Sequence, residues 1–90
     1  MTPSEFACGV AHVESLANNL ELHRDFMGTL NEATRREFYS ARHRERAEQA
    51  RSLVEQLRAA PAWHLADAST RTLVLALAES ATLSLAIAAA

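Results

Sequence analysis

Cys8 and His12 stand four residues apart in "EFACGVAHVES", and on a helix that spacing sets a thiol beside an imidazole. Such a pair can act as nucleophile and base, or offer two ligands to a metal, and a position near a helix N-terminus favours the thiolate. The alternative is packing. Small buried cysteines are common, and the same helical face continues through Ser15, Asn19, Leu22 and Phe26 as a secondary packing face. Packing is the better reading, because a metal needs a third ligand and no H-x-x-x-H or E-x-x-H spacing occurs in the chain. There is also no phosphate-binding glycine loop and no serine with a fitting histidine and acid. The sequence therefore predicts no catalytic residue, no metal and no cofactor, with a small enzyme or metal protein using Cys8 and His12 as the third-ranked reading.

His23 and His43 are the other groups that could carry chemistry. Both fall on helical seams, where a hydrogen-bonded polar layer that fixes register explains them better than a metal site. His64, beside Trp63, reads as a surface connector residue. Trp63 fits a core position and an interface anchor equally well.

Arginine supplies every basic side chain other than the histidines, for there is no lysine. The charge is divided along the chain. Residues 1–34 carry Glu5, Glu14, Glu21, Asp25 and Glu32 against Arg24 alone, whereas residues 35–58 carry seven arginines against four glutamates. A nucleic-acid reading needs those arginines gathered on one face with aromatics free to stack. On a helical wheel Arg35, Arg42 and Arg46 gather near Tyr39. Arg44, Arg51 and Arg58 lie on the far side, interleaved with Glu37, Glu45, Glu48 and Glu55, as on a solvated helix face. The net charge of −2 argues the same way. The cluster around Tyr39 suits a carboxylate-rich protein partner through bidentate bonds.

Three helices must position these groups. Thr2, Pro3 and Glu5 spell a capping box with proline at the first turn. From there a 3–4 spacing through Phe6, Gly9, Val13, Leu16, Leu20, His23, Met27 and Leu30 predicts a helix over about 3–28. Thr29 and Glu32 suggest a second capping box, with Asn31 as the competing cap. The second helix is expected over about 32–60, ending at Pro61, with a seam of Tyr39, His43, Arg46, Ala50, Leu53, Leu57 and Ala60. An antiparallel hairpin of the two would set Phe6 near Leu57, Val13 near Ala50, Leu16 near Arg46 and His23 near Tyr39. It would also offer Glu14, Glu21 and Asp25 to Arg46, Arg42 and Arg35.

Residues 61–68 read as a connector, with Trp63 packed on the apolar end of the hairpin and Asp67 or Ser69 as the next cap. The third helix is expected over about 69–88. Val74, Leu77, Ala81, Ser84 and Ala88 form one stripe, Leu73 and Leu85 flank it, and Leu75, Leu83 and Ile87 point elsewhere. Alternation at Leu73, Leu75 and Leu77 also permits strands, but alanine and serine disfavour them and no turn pair separates the runs. A membrane span is disfavoured because the apolar run barely reaches the minimum of about 17 residues and holds Glu79. A helix apolar on more than one face cannot be covered by one hairpin.

The expectation is thus one all-α domain over 1–90, a long antiparallel hairpin plus an apolar C-terminal helix, its bundle completed by oligomerisation, with a dimer favoured. The expected role is a non-catalytic protein–protein interaction module: an adaptor, chaperone-like or inhibitory protein covering a partner's surface. Arg35, Tyr39, Arg42, His43 and Arg46 are the candidate polar contacts. Trp63, Leu75, Leu83 and Ile87 are the apolar ones. A nucleic-acid-associated regulator using the arginines is the runner-up. A single cysteine and a start without a basic, then apolar, leader point to a cytoplasmic setting and no membrane.

Overall fold

Thr2 opens the first helix by the expected reciprocal cap. Its hydroxyl accepts the Glu5 N–H at 3.2 Å, and the Glu5 carboxylate accepts the Thr2 N–H at 3.0 Å. The computed structural model describes residues 1–89, and among them every regular element is helical. They are α1 (Pro3–Gly28), α2 (Glu32–Phe38), α3 (Ser40–Ala59) and α4 (Ala68–Ala89), with a 3₁₀ turn at Pro61–Leu65 before α4. The all-α class holds.

Three long helices lie side by side in a rod of 46 × 19 × 17 Å. His23 meets His43, Asn19 meets Arg46, and Gly9 lies against Leu57, so positions descend along α3 as they rise along α1. α4 packs on both, and α3 is covered more extensively by α4 than by α1. One core runs through all three: Phe6, Val13 and Leu20 from α1, Ala47, Ala50, Val54 and Leu57 from α3, and Val74, Leu77 and Ala81 from α4.

That double burial corrects the expected seam of the second helix. Arg46 is exposed and Ala47 is fully buried, while Val54 is deeper than Leu53. A stripe facing two neighbours is wider than one facing a single partner, so the buried line turns toward α4 and the arginine is left at the α1 edge. The small Ala47 and Ala50 allow the close approach of three helices.

The second helix is also not continuous. It breaks at Tyr39, where φ is −125° and ψ is −28°, far from helical values. The Ser40 hydroxyl donates to the Arg35 carbonyl at 3.2 Å, which already accepts the Tyr39 N–H at 3.0 Å. Two donors on one carbonyl stabilise the local opening of the ladder. Asn31, and not a Thr29–Glu32 box, caps α2: its side chain accepts the Thr34 N–H at 2.8 Å. The Thr29 hydroxyl instead donates back to the Phe26 carbonyl at 2.7 Å.

The expected ion pairs between the first two helices are not made among the described residues. The pairs found run along single helices, Arg36 with Glu32 at 2.7 Å and Arg51 with Glu55 at 3.5 Å, both i,i+4. Such exposed pairs contribute little, so nothing forced the charges to cross. Asp67 caps α4, accepting the Thr70 N–H at 2.7 Å. Arg71 then ties the preceding turn down, donating to the carbonyls of Ala66 at 2.8 Å and His64 at 3.3 Å.

Candidate functional site

The groups with chemical potential gather at the end of the rod near the α1–α2 bend. His23 sits three residues before Phe26 and four before Met27, so its ring leans from α1 toward α3 at the level of Tyr39 and His43. The two imidazoles stack, with centroids 4.9 Å apart and planes inclined by 19°, and their Nδ1 atoms lie 2.8 Å apart. Tyr39 and Phe26 form a T-shaped pair with centroids 5.1 Å apart, and the Tyr39 ring lies 6.3 Å from that of His23. The helix break turns this tyrosine inward to complete a four-ring cluster of Phe26, His23, Tyr39 and His43. Edge-to-face and offset contacts of this kind add to simple burial.

His43 is fully buried, and its Nε2 has no hydrogen-bond partner. One proton shared between the Nδ1 atoms satisfies both. The tautomer that leaves no orphan donor has His43 donating from Nδ1 with a bare Nε2, since a buried N–H without an acceptor is the rarer and costlier defect. Burial, then the neighbouring His23, Arg24 and Arg46, push the His43 pKa down to about 4. His23 is lowered for the same first reason, then by Arg46 and Arg42. Both rings are neutral near pH 7, and the pair joins α1 to α3.

Arg24 is the residue that sequence reasoning passed over. Its Nη1 reaches α4 and donates to the Ser80 hydroxyl at 2.7 Å, the Ser84 hydroxyl at 2.8 Å and the Ser80 carbonyl at 3.1 Å. Ser84 is fully buried, so this guanidinium is what permits a hydroxyl on the inner stripe of an apolar helix. A signal existed. Ser80 and Ser84 are spaced i,i+4 in an otherwise apolar run, and Arg24 is the one cation in residues 1–34.

The other candidates divide. Tyr39 and His43 are brought together, with Arg42 and Arg46 close enough to influence the histidines. Arg46 itself turns to α1 and donates to the Asn19 side chain at 2.8 Å. Arg35 lies half-buried on α2, where its carbonyl serves the break. Cys8 and His12 are both exposed on α1, so the packing expected of them is not made at this end of the face. No group of three or more His, Cys, Asp or Glu side chains is arranged to hold a metal among the described residues.

The apolar candidates are not one patch. Trp63 is half-buried against the core, and Ile87 is half-buried at the flank of α4. Leu75 and Leu83 stand outward on α4, 42% and 52% exposed. A shallow trough lined by Ala78, Glu79, Thr82, Leu83 and Ala86 lies along α4. By length and composition α4 is apolar enough to cross a membrane, and only 28% of that stretch is buried in the bundle. Comparison with known proteins adds no assignment: no family model, no curated protein and no solved structure matches this chain.

Proposed function

We propose that this chain is a non-catalytic interaction module, an adaptor, chaperone-like or inhibitory protein that works by covering part of another protein's surface. The observation that carries this reading is the outward face of α4. Leu75 and Leu83 remain in water on a helix whose opposite side is fully engaged by α1 and α3. Leu83 and the alanines of the trough form an exposed apolar patch on this face, and such patches mark interaction sites. Self-association belongs to the same reading, because any surface that covers that face relieves the same exposure.

The polar candidates have a subordinate place. Arg42, Arg46 and Gln49 line an exposed hollow on α3 together with Glu45, a surface that suits a carboxylate of a protein partner. The same hollow is what favours the second reading, a nucleic-acid-associated regulator. Against that reading, Tyr39 is engaged with Phe26 and His23 instead of standing free to stack on a base.

The test is affinity capture from native lysate, quantified by mass spectrometry, with the chain and a Leu75→Glu/Leu83→Glu variant side by side. A protein held by the first and lost from the second supports the reading. The same set held by both contradicts it, and loss only in an Arg42→Ala/Arg46→Ala variant moves the site to α3.

A further inference from the structure

We infer that α2 is a strap between α1 and α3, pinned by the four-ring cluster, and that protonation of the His23–His43 pair unpins it while the three long helices stay packed. The device needs no partner on α4, so it stands apart from the interaction-module reading.

Little else holds the strap. α2 is seven residues long and buries none of them, and a helix so short is not stable by itself. It packs chiefly on α3. At its C-terminal end the backbone leaves helical values at Tyr39, and the Tyr39 ring lies against Phe26 and His23 of α1. Phe38, next to it, is 59% exposed. Segments with so little burial are the ones that open locally.

The pin accepts one proton and no more. The Nδ1 atoms of His23 and His43 lie 2.8 Å apart, which fits a single N–H between them. With His43 donating, His23 carries its own hydrogen on Nε2, and its free site is the contact itself. A proton added there sets two donors against each other. The remaining site, Nε2 of His43, is buried without a partner, so a proton placed on it finds no acceptor. Either way the charged pair loses the contact.

The surroundings repel the charge as well. Arg24 on α1 and Arg42 and Arg46 on α3 all oppose a proton on the pair, and Arg35 of α2 is half-buried. The acids of these elements, Glu21, Asp25, Glu32, Glu37 and Glu45, are exposed. α4 brings the hydroxyls of Ser80 and Ser84, both held by Arg24, while its Glu79 lines the outer trough. Opening gives both imidazoles to water, and at pH 4.5 that favours the open form by up to about 100-fold per ring. The core cluster along the rod holds no proton-binding side chain. The caps at Glu5 and Asp67 outlast the pair, because backbone N–H groups keep both carboxyls below their usual range.

Hydrogen exchange of the full chain, followed by mass spectrometry at pH 7.0 and 4.5, tests this, with each rate divided by that of the unfolded peptide at the same pH. At pH 4.5 residues 32–42 should exchange within about 10-fold of the unfolded rate, while 47–57 and 74–81 stay protected by more than about 100-fold. Helical circular dichroism should be largely kept. In a His23→Leu/His43→Leu variant, residues 32–42 should be as protected at pH 4.5 as at pH 7.0. Tyr39→Ala should lower their protection by more than about 10-fold already at pH 7.0, and Tyr39→Phe, which keeps the ring, should not. The Tyr39 pair decides the matter if the double histidine variant does not fold. Loss of protection in all three segments together, no loss at pH 4.5, a loss that persists without the histidines, or full protection in Tyr39→Ala each overturns the inference.

Discussion

His43 approaches His23 Nδ1 to Nδ1 at 2.8 Å and has no partner for its other ring nitrogen, although no part of it reaches water. This is a polar contact at the end of an apolar core that α1 and α3 share. Both rings are held neutral, because burial and the nearby Arg24, Arg42 and Arg46 oppose a proton on either of them.

Stability should therefore depend on pH in a stated direction. The unfolded histidine titrates near 6.5, and the folded one near 4. Between those values the unfolded chain binds a proton that the folded chain refuses, so stability is complete above about 6.5 and falls as pH drops toward 4. The loss amounts to about 3 kcal/mol for His43. Urea unfolding across pH 5 to 7 should show the slope, and His43→Leu should flatten it. An unchanged slope in that variant would assign the effect to other groups.

Two glycines should respond to alanine in opposite senses. At Gly9 a Cβ would stand 2.8 Å from Cδ2 of the fully buried Leu57 and 3.3 Å from Leu53. Overpacking of about 1–3 kcal/mol exceeds the helix-propensity gain of about 1 kcal/mol, so Gly9→Ala should destabilise. At Gly28 nothing lies within 4 Å and φ is not positive, so Gly28→Ala should stabilise by about 0.5–1 kcal/mol. Denaturant midpoints of the two variants, measured together, check both signs.

Arg24→Met keeps much of the side-chain length and removes the donors to Ser80 and Ser84. The buried Ser84 hydroxyl then loses its cationic partner, a change of about 1–3 kcal/mol. Restoring polarity balance with Ser84→Ala in the same chain should recover part of that loss, because both members of the contact are then gone. Thermal unfolding of the single and double variants measures the coupling.

Asp67→Ala should destabilise the chain through loss of the α4 cap. The Asp67 carboxyl is held below its usual range chiefly by the Thr70 N–H it accepts. Asp67→Asn, which can still accept that hydrogen bond, should lose less than Asp67→Ala in the same denaturant series.

What could be read from the residues alone was what local spacing determines. Helix type, the Thr2–Glu5 cap and the inward stripe of Val74, Leu77, Ala81, Ser84 and Ala88 follow from periodicity and capping chemistry, which act within one turn or two. The break at Tyr39 does not, because it depends on Phe26 and His23 arriving from α1 and on Ser40 choosing a carbonyl five residues back. The choice of Ala47 over Arg46 for the core depends on α4 lying against α3, which the 3–4 pattern of α3 cannot encode by itself. Arg24 escaped notice because a long side chain was counted by its charge when its reach decided its role. At the site, seam spacing brings His23, Tyr39 and His43 to one level but cannot encode how the four rings pack, and the outward pair Leu75 and Leu83 is legible because helix 69–88 is apolar on more than one face.

If the outward face of α4 is covered when the protein works, thiol footprinting will register the cover. In a Cys8→Ser chain, the alkylation rate of a Leu83→Cys thiol is measured in dilute buffer and again in native extract, with a Ser52→Cys chain as the control on an exposed face of α3. The rate at position 83 should slow by more than about 10-fold in extract while the rate at position 52 stays the same. Equal rates at position 83 in both media would mean that nothing covers this face.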